Sequence, residues 1–89
     1  MLKISQPGKA GQNFTLILEG RLVGPWVGEL RLVCVSLLVN DRVVQLDLSD
    51  VSYADAQGVE LLNNLKTRGV TLANGSPFLT EQLKSGTYN

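Results

Sequence analysis

Apolar residues recur along this chain with two different spacings, and the switches between them mark out the elements. In residues 14–19, FTLILE, Phe14, Leu16 and Leu18 fall on one side of an extended chain and Thr15, Ile17 and Glu19 on the other. That two-residue alternation predicts a half-buried strand. Residues 1–4 carry a shorter version, with Leu2 and Ile4 flanking Lys3, and predict a brief first strand. Residues 5–13 hold Pro7, Gly8 and Gly11 and predict a turn-rich connector; residues 20–24 predict a loop. From Trp26 the spacing becomes helical. Trp26, Val27, Leu30, Val33, Cys34, Leu37 and Leu38 form a stripe down one face, opened by Gly24 as N-cap and Pro25 at the first helical position. Asn40-Asp41 turns the chain out of this helix.

Residues 43–48, VVQLDL, are mostly apolar and predict a central strand covered on both faces. Residues 49–54 predict a connector. Asp55 is placed to cap a helix that buries Val59, Leu61, Leu62 and Leu65 and leaves Asn63, Asn64, Lys66 and Thr67 in solvent. Arg68 suits the negative end of that helix, and Gly69 suits the left-handed position after it. Residues 70–73 predict a short last strand and Asn74-Gly75 a turn. Ser76 and Pro77 open a third helix docked by Phe78, Leu79 and Leu83 and ended by Gly86, with residues 87–89 as a tail.

The order is strand, strand, helix, strand, helix, strand, helix. It predicts an α/β fold: a four-stranded, mostly parallel, mixed sheet with three helices. At 89 residues the chain is read as a single domain, residues 1–89. In open sheets of this kind sites lie beyond the carboxyl ends of the strands. Here those are residues 20–24 and 49–58, so Val23 and Gln57 are expected to share a surface.

Composition narrows the function. Eight basic and eight acidic residues give a formal net charge of zero with no basic stripe, which argues against nucleic-acid binding. No apolar run is long enough to insert in a membrane, and no apolar leader follows the N-terminus, so the expected location is cytoplasmic. Histidine is absent and cysteine occurs once. Zinc sites and Ser/His or Cys/His hydrolytic sites therefore lack raw material, and no enzyme activity, cofactor or metal is expected. Cys34 lies on the apolar stripe and reads as a small buried hydrophobe. Asp47, Asp50 and Asp55 are carboxylates near one edge; capping and turn roles account for them more simply than chelation of a hard cation.

The first turn of the helix after Asp55 carries the functional reading. Gly58, near the third helical position, costs about 1 kcal/mol against alanine there. Ala56, Gln57 and Gly58 are small or polar, and a glycine lets another group approach closely. The residues alone leave two readings open: a docking or anion-attracting spot, or an ordinary capped helix with an incidental glycine.

The segment after the buried strand resembles the STAS domain, shared by anti-sigma-factor antagonists and sulfate transporter tails. Leu46-Asp47-Leu48-Ser49, Val51, Tyr53, Asp55 and Gly58 carry the likeness. Gly20-Arg21-Leu22, Leu61-Leu62 and the return strand Gly69-Val70-Thr71-Leu72 support it over nearly the whole chain. The resemblance implies a non-enzymatic partner-switching module that binds an anti-sigma factor, itself a serine kinase-like ATPase. Its partner-binding residues would be Asp55, Ala56, Gln57 and Gly58 with Arg21, Leu22 and Val23. The family phosphoacceptor serine maps to Ala56, and Gln57 replaces a second hydroxyl residue. Ala56 has no oxygen to phosphorylate, so the switch as the family builds it is missing, with Ser49, Ser52 and Tyr53 as substitute candidates. Val23 also stands where the family often has an acidic contact after Leu22. The alternative implied by the family is a subunit bracing a larger assembly, such as the ATPase of a lipid-transport ABC system. The neutral surface also leaves homodimerisation open.

Overall fold

The computed structural model describes residues 2–11 and 13–85. Met1, Gly86 and the expected tail at residues 87–89 lie outside them. The elements are β1 (Leu2–Ala10), β2 (Asn13–Leu22), α1 (Pro25–Val39), β3 (Val43–Ala54), α2 (Ala56–Thr67), β4 (Thr71–Ala73) and α3 (Pro77–Ser85). The sheet order is β1-β2-β3-β4, with β1 antiparallel to β2 and the remaining neighbours parallel. This is the expected four-stranded mixed sheet with three helices.

Among the described residues the sheet is covered on one face only. Its two parallel crossovers, through α1 and α2, step in the same direction across the sheet. Crossovers of one hand then place both helices on the same side. Val44, Leu46 and Leu48 are buried beneath them, whereas Val43 is 54% exposed and Gln45 is exposed. The expectation of a strand covered on both faces is therefore corrected. From Val44 to Leu48 the strand alternates apolar and polar, and the polar set faces outward.

Three stretches expected from the sequence as loops or connectors are largely strand. β3 runs through residues 49–54 because it carries two bulges against β2. Ile17 pairs with Asp47, Glu19 with Asp50, and Arg21 with Tyr53, so β3 spends extra residues over the same length of β2. Each extra residue shifts the inward positions, and the buried set becomes Leu48, Val51 and Ala54 at steps of three. A period of three matches neither template, which is why this stretch reads as a connector. For the same reason β2 continues through Gly20 to Leu22, leaving only Val23 and Gly24 as the turn into α1. The connector expected at residues 5–13 is likewise corrected: β1 reaches Ala10, with an irregularity between Ser5 and Gly8 that accommodates Pro7 in an edge strand.

The helices follow their caps. In α1, Val27, Leu30 and Cys34 are buried, with Trp26, Val33, Leu37 and Leu38 packed partly buried against the core. Its end is a Schellman turn: the Asp41 N–H donates to Leu38 O at 3.1 Å and the Arg42 N–H to Leu37 O at 3.0 Å, with Asp41 at φ +59°. α2 ends the same way around Gly69 at φ +94°. Its apolar face is as expected, but Asn63 is half-buried, and its Nδ2 donates to Leu83 O at 3.1 Å, tying α2 to α3. Ser76 caps α3 by accepting from the Leu79 N–H at 3.1 Å. Leu79 is buried and Leu83 half-buried, but Phe78 is 60% exposed and does not dock the helix. A residue one step from Leu79 lies about 100° around the helix, away from the sheet. Among the described residues, no helix is long and apolar enough to cross a membrane.

Candidate functional site

The carboxyl ends of β2 and β3 finish side by side, with Leu22 paired to Ala54. Asp55 then joins the two segments that leave them. Its backbone N–H donates to Leu22 O at 3.1 Å. Its Oδ1 accepts from the Gly58 N–H at 2.7 Å, capping α2, and its Oδ2 accepts from the Gly24 N–H at 2.9 Å. One carboxylate thus fixes the first turn of α2 against the turn into α1. Both bonds are charge-assisted and Oδ1 lies at the positive end of the helix, so the carboxylate is well placed electrostatically. Gly24 sits at φ +56°, a conformation that favours glycine.

Gly58 is not incidental. A Cβ there would lie 2.6 Å from Leu22 O, 3.1 Å from Leu22 Cγ and 3.3 Å from the Ala54 Cβ. The close approach that this glycine permits is made by the chain's own β2, which lets α2 start directly against the strand end. On α3, the Gln82 Nε2 donates to Ala54 O at 3.1 Å and braces the same corner from behind.

The expected site residues therefore divide into two kinds. Leu22 and Gly58 are buried and shape the surface from beneath; Asp55 and Val23 are half-buried; Arg21, Ala56 and Gln57 are exposed. The turn and the helix start are brought together as anticipated, through Asp55 and Gly24. Reasoning from sequence placed Gly24 in the loop of the site and as a helix cap but not as a partner of Asp55, and it passed over Gln82, whose partner is 28 residues away. It also missed the pairing of Arg21 with Tyr53, because the bulges that make them neighbours leave no periodic trace. The Arg21 guanidinium lies 5.5 Å from the centre of the Tyr53 ring, and both side chains face solvent.

The hydroxyls nearby are partly engaged. Ser52 Oγ donates to Gly20 O at 3.3 Å across the bulged strands, while Ser49 and Tyr53 are exposed. The Ser49 N–H donates to Asp47 Oδ1 at 3.0 Å, and this bond holds the Asp47 carboxyl below its usual range. Asp47, Asp50 and Asp55 do not converge: among the described residues no group of three acidic or thiol side chains could hold a metal ion. Cys34 is fully buried in α1, and burial pushes its thiol up to about 11, which bears out its reading as a small hydrophobe. The exposed surface at the corner offers the Ala56 methyl group, the Gln57 amide, the Arg21 guanidinium and the Tyr53 ring; of these, arginine and tyrosine are the types enriched where proteins meet.

No protein-family model matches the chain, and no curated protein matches it in sequence. Solved structures do match it in shape. The structure of the anti-sigma factor antagonist SpoIIAA in its unphosphorylated form superposes with a TM-score of 0.73 at 18% identity, over 92% of this chain and 82% of that one. The structure of Mglu matches with a TM-score of 0.62 at 20% identity, over 84% of this chain but only 20% of Mglu. The chain therefore has the STAS fold of the anti-sigma factor antagonist SpoIIAA, the architecture that its sequence resemblance implied.

Proposed function

We propose that this chain is a non-enzymatic protein-interaction module of the anti-sigma-factor-antagonist kind, working in the cytoplasm. It docks a serine kinase-like anti-sigma factor on the corner formed by Arg21, Val23, Ala56 and Gln57. The observation that carries this reading is the Asp55 bridge. A carboxylate shared between Gly24 and Gly58 holds two separate segments as one surface, and the helix start above it is exposed. SpoIIAA, whose fold the chain shares, is an anti-sigma factor antagonist, and by the sequence resemblance the family phosphoacceptor would fall at Ala56. With no hydroxyl at that position, binding is set by partner and concentration rather than by phosphate at residue 56.

Affinity purification of the tagged chain, with the retained proteins identified by mass spectrometry, tests the reading. A retained kinase-like ATPase that loses affinity for the Ala56→Glu variant supports it, because a carboxylate there places charge where a phosphate would repel docking. Unchanged affinity places the interface elsewhere. The missing hydroxyl also favours a second reading, in which the domain braces the ATPase of an ABC assembly and needs no switch. Recovery of an ABC ATPase in place of the kinase-like protein decides for it. Phosphate detected on Ser52 after co-expression with a kinase would move the switch to that residue.

A further inference from the structure

We propose a second binding surface, separate from the α2 corner: the groove along β4 takes an extended, acidic and apolar peptide segment of a partner, which adds as a strand to the free edge of β4. Three features of the structure meet there. First, β4 pairs only with β3 among the described residues, so the backbone groups of its other edge have no strand partner there. Second, a cavity of about 620 Å³ opens between α2, α3 and β4, within the range of sites that bind ligands. Val70, Thr71 and Leu72 all line it. Thr71 and Leu72 are successive residues of β4, whose side chains point to opposite faces, so both border one cavity where it reaches the strand edge. Third, Leu48, Leu72 and Leu83 give the groove apolar walls, and Lys66 from α2 and Lys84 from α3 are the charged residues that line it.

These features choose the occupant. An apolar groove beside an unpaired edge is the geometry of strand addition, in which main-chain hydrogen bonds bind and alternate side chains enter pockets. β4 is three residues long, about 10 Å, so the added segment needs only a few paired residues. The lysines select its charge. Lys84 also pairs with Glu81 at 3.6 Å, and among the described residues no carboxylate lines the cavity itself. Two positive residues along an edge disfavour pairing with a second copy of the same edge and favour a strand bearing Glu or Asp. The opposite edge, on β1, is broken by its irregularity between Ser5 and Gly8 and is a poorer template.

The test is an NMR titration of the 15N-labelled full chain with a capped seven-residue peptide of alternating glutamate and valine. We expect amide shifts concentrated at Thr71–Ala73 and at Lys66 and Lys84. The Lys66→Glu/Lys84→Glu variant should bind about tenfold more weakly, since both exposed attractions become repulsions. A peptide of the same charge, N-methylated on alternate backbone nitrogens, should not bind, because it cannot complete the ladder. Equal binding by the methylated peptide overturns strand addition, and equal binding by the charge-reversed variant overturns the role of the lysines. Shifts that appear with decanoate but not with the peptide would assign the groove to a small amphiphile and overturn the proposal, as would no shift with either. Ala56→Glu should leave peptide binding unchanged, so this result and the docking of a partner at the α2 corner stand or fall separately.

Discussion

Substituting Gly58 by alanine tests whether α2 is seated on β2 as described. The added Cβ would lie 2.6 Å from Leu22 O, where a carbon meeting a carbonyl oxygen needs roughly 3.3 Å. Something must open by about 0.7 Å, and the obstacle is backbone, which cannot swing aside. Overpacking of this kind costs about 1–3 kcal/mol. Displacing α2 or the end of β2 also strains the bond from the Asp55 N–H to Leu22 O and the carboxylate bridge to Gly24 and Gly58. Against this stands the better helix propensity of alanine, about 1 kcal/mol at most. The net expectation is a loss of about 1–3 kcal/mol, a fall in Tm of about 4–8 °C for each kcal/mol in a domain of this size. Gly28 in α1 provides the matched control, because nothing lies within 4 Å of a Cβ built there. Gly28→Ala should stabilise by about 0.5–1 kcal/mol through propensity alone. Urea unfolding followed by circular dichroism and by the single tryptophan, Trp26, measures both variants. If Gly58→Ala proved as stable as the parent, or more so, the close seating of α2 on Leu22 would be wrong.

The remaining predictions use the same unfolding assay or simple chemistry. Asp55→Ala should cost about 1–3 kcal/mol by removing both the helix cap and the bond to Gly24, while Asp55→Asn should retain much of the cap. Asp41→Gly should stabilise by about 0.5–1 kcal/mol, since Asp41 holds the left-handed conformation at the end of α1; a loss would mean that its side chain supports the turn. Cys34 should resist a thiol reagent near neutral pH until the chain is unfolded, and labelling of the native protein at the rate of a free thiol would contradict its burial. The same group predicts a pH dependence. Its proton is held up to about 11 in the folded chain and released from about 9.0 in the unfolded one, so stability is intact below that window and falls as pH rises through it. Cys34→Ala should remove this part of the decline, seen by comparing urea midpoints across the window.

Local chemistry was legible in the linear order of residues. Gly24-Pro25, Asp55, Gly69 and Ser76-Pro77 marked helix ends because caps act over three or four residues. The stripe from Val27 to Cys34 marked a buried face because helical spacing repeats within one element. The order of elements indicated an α/β sheet, and the pairing of its strands bears this out. The run at Asp47, Tyr53, Asp55 and Gly58 carried a family resemblance whose fold the structure shares. Other features depended on residues brought together from far along the chain. The bulges that turn residues 49–54 into strand arise from register against β2, and their three-residue period looks like irregularity when β3 is read alone. One-sided coverage followed from the direction of two crossovers, a property of the whole sheet. Gly58 looked like a docking surface or an accident until Leu22, 36 positions earlier, proved to fill the space above it. Sequence sets what each segment prefers over a few residues; only the folded chain decides which distant backbone occupies the room that a missing side chain leaves.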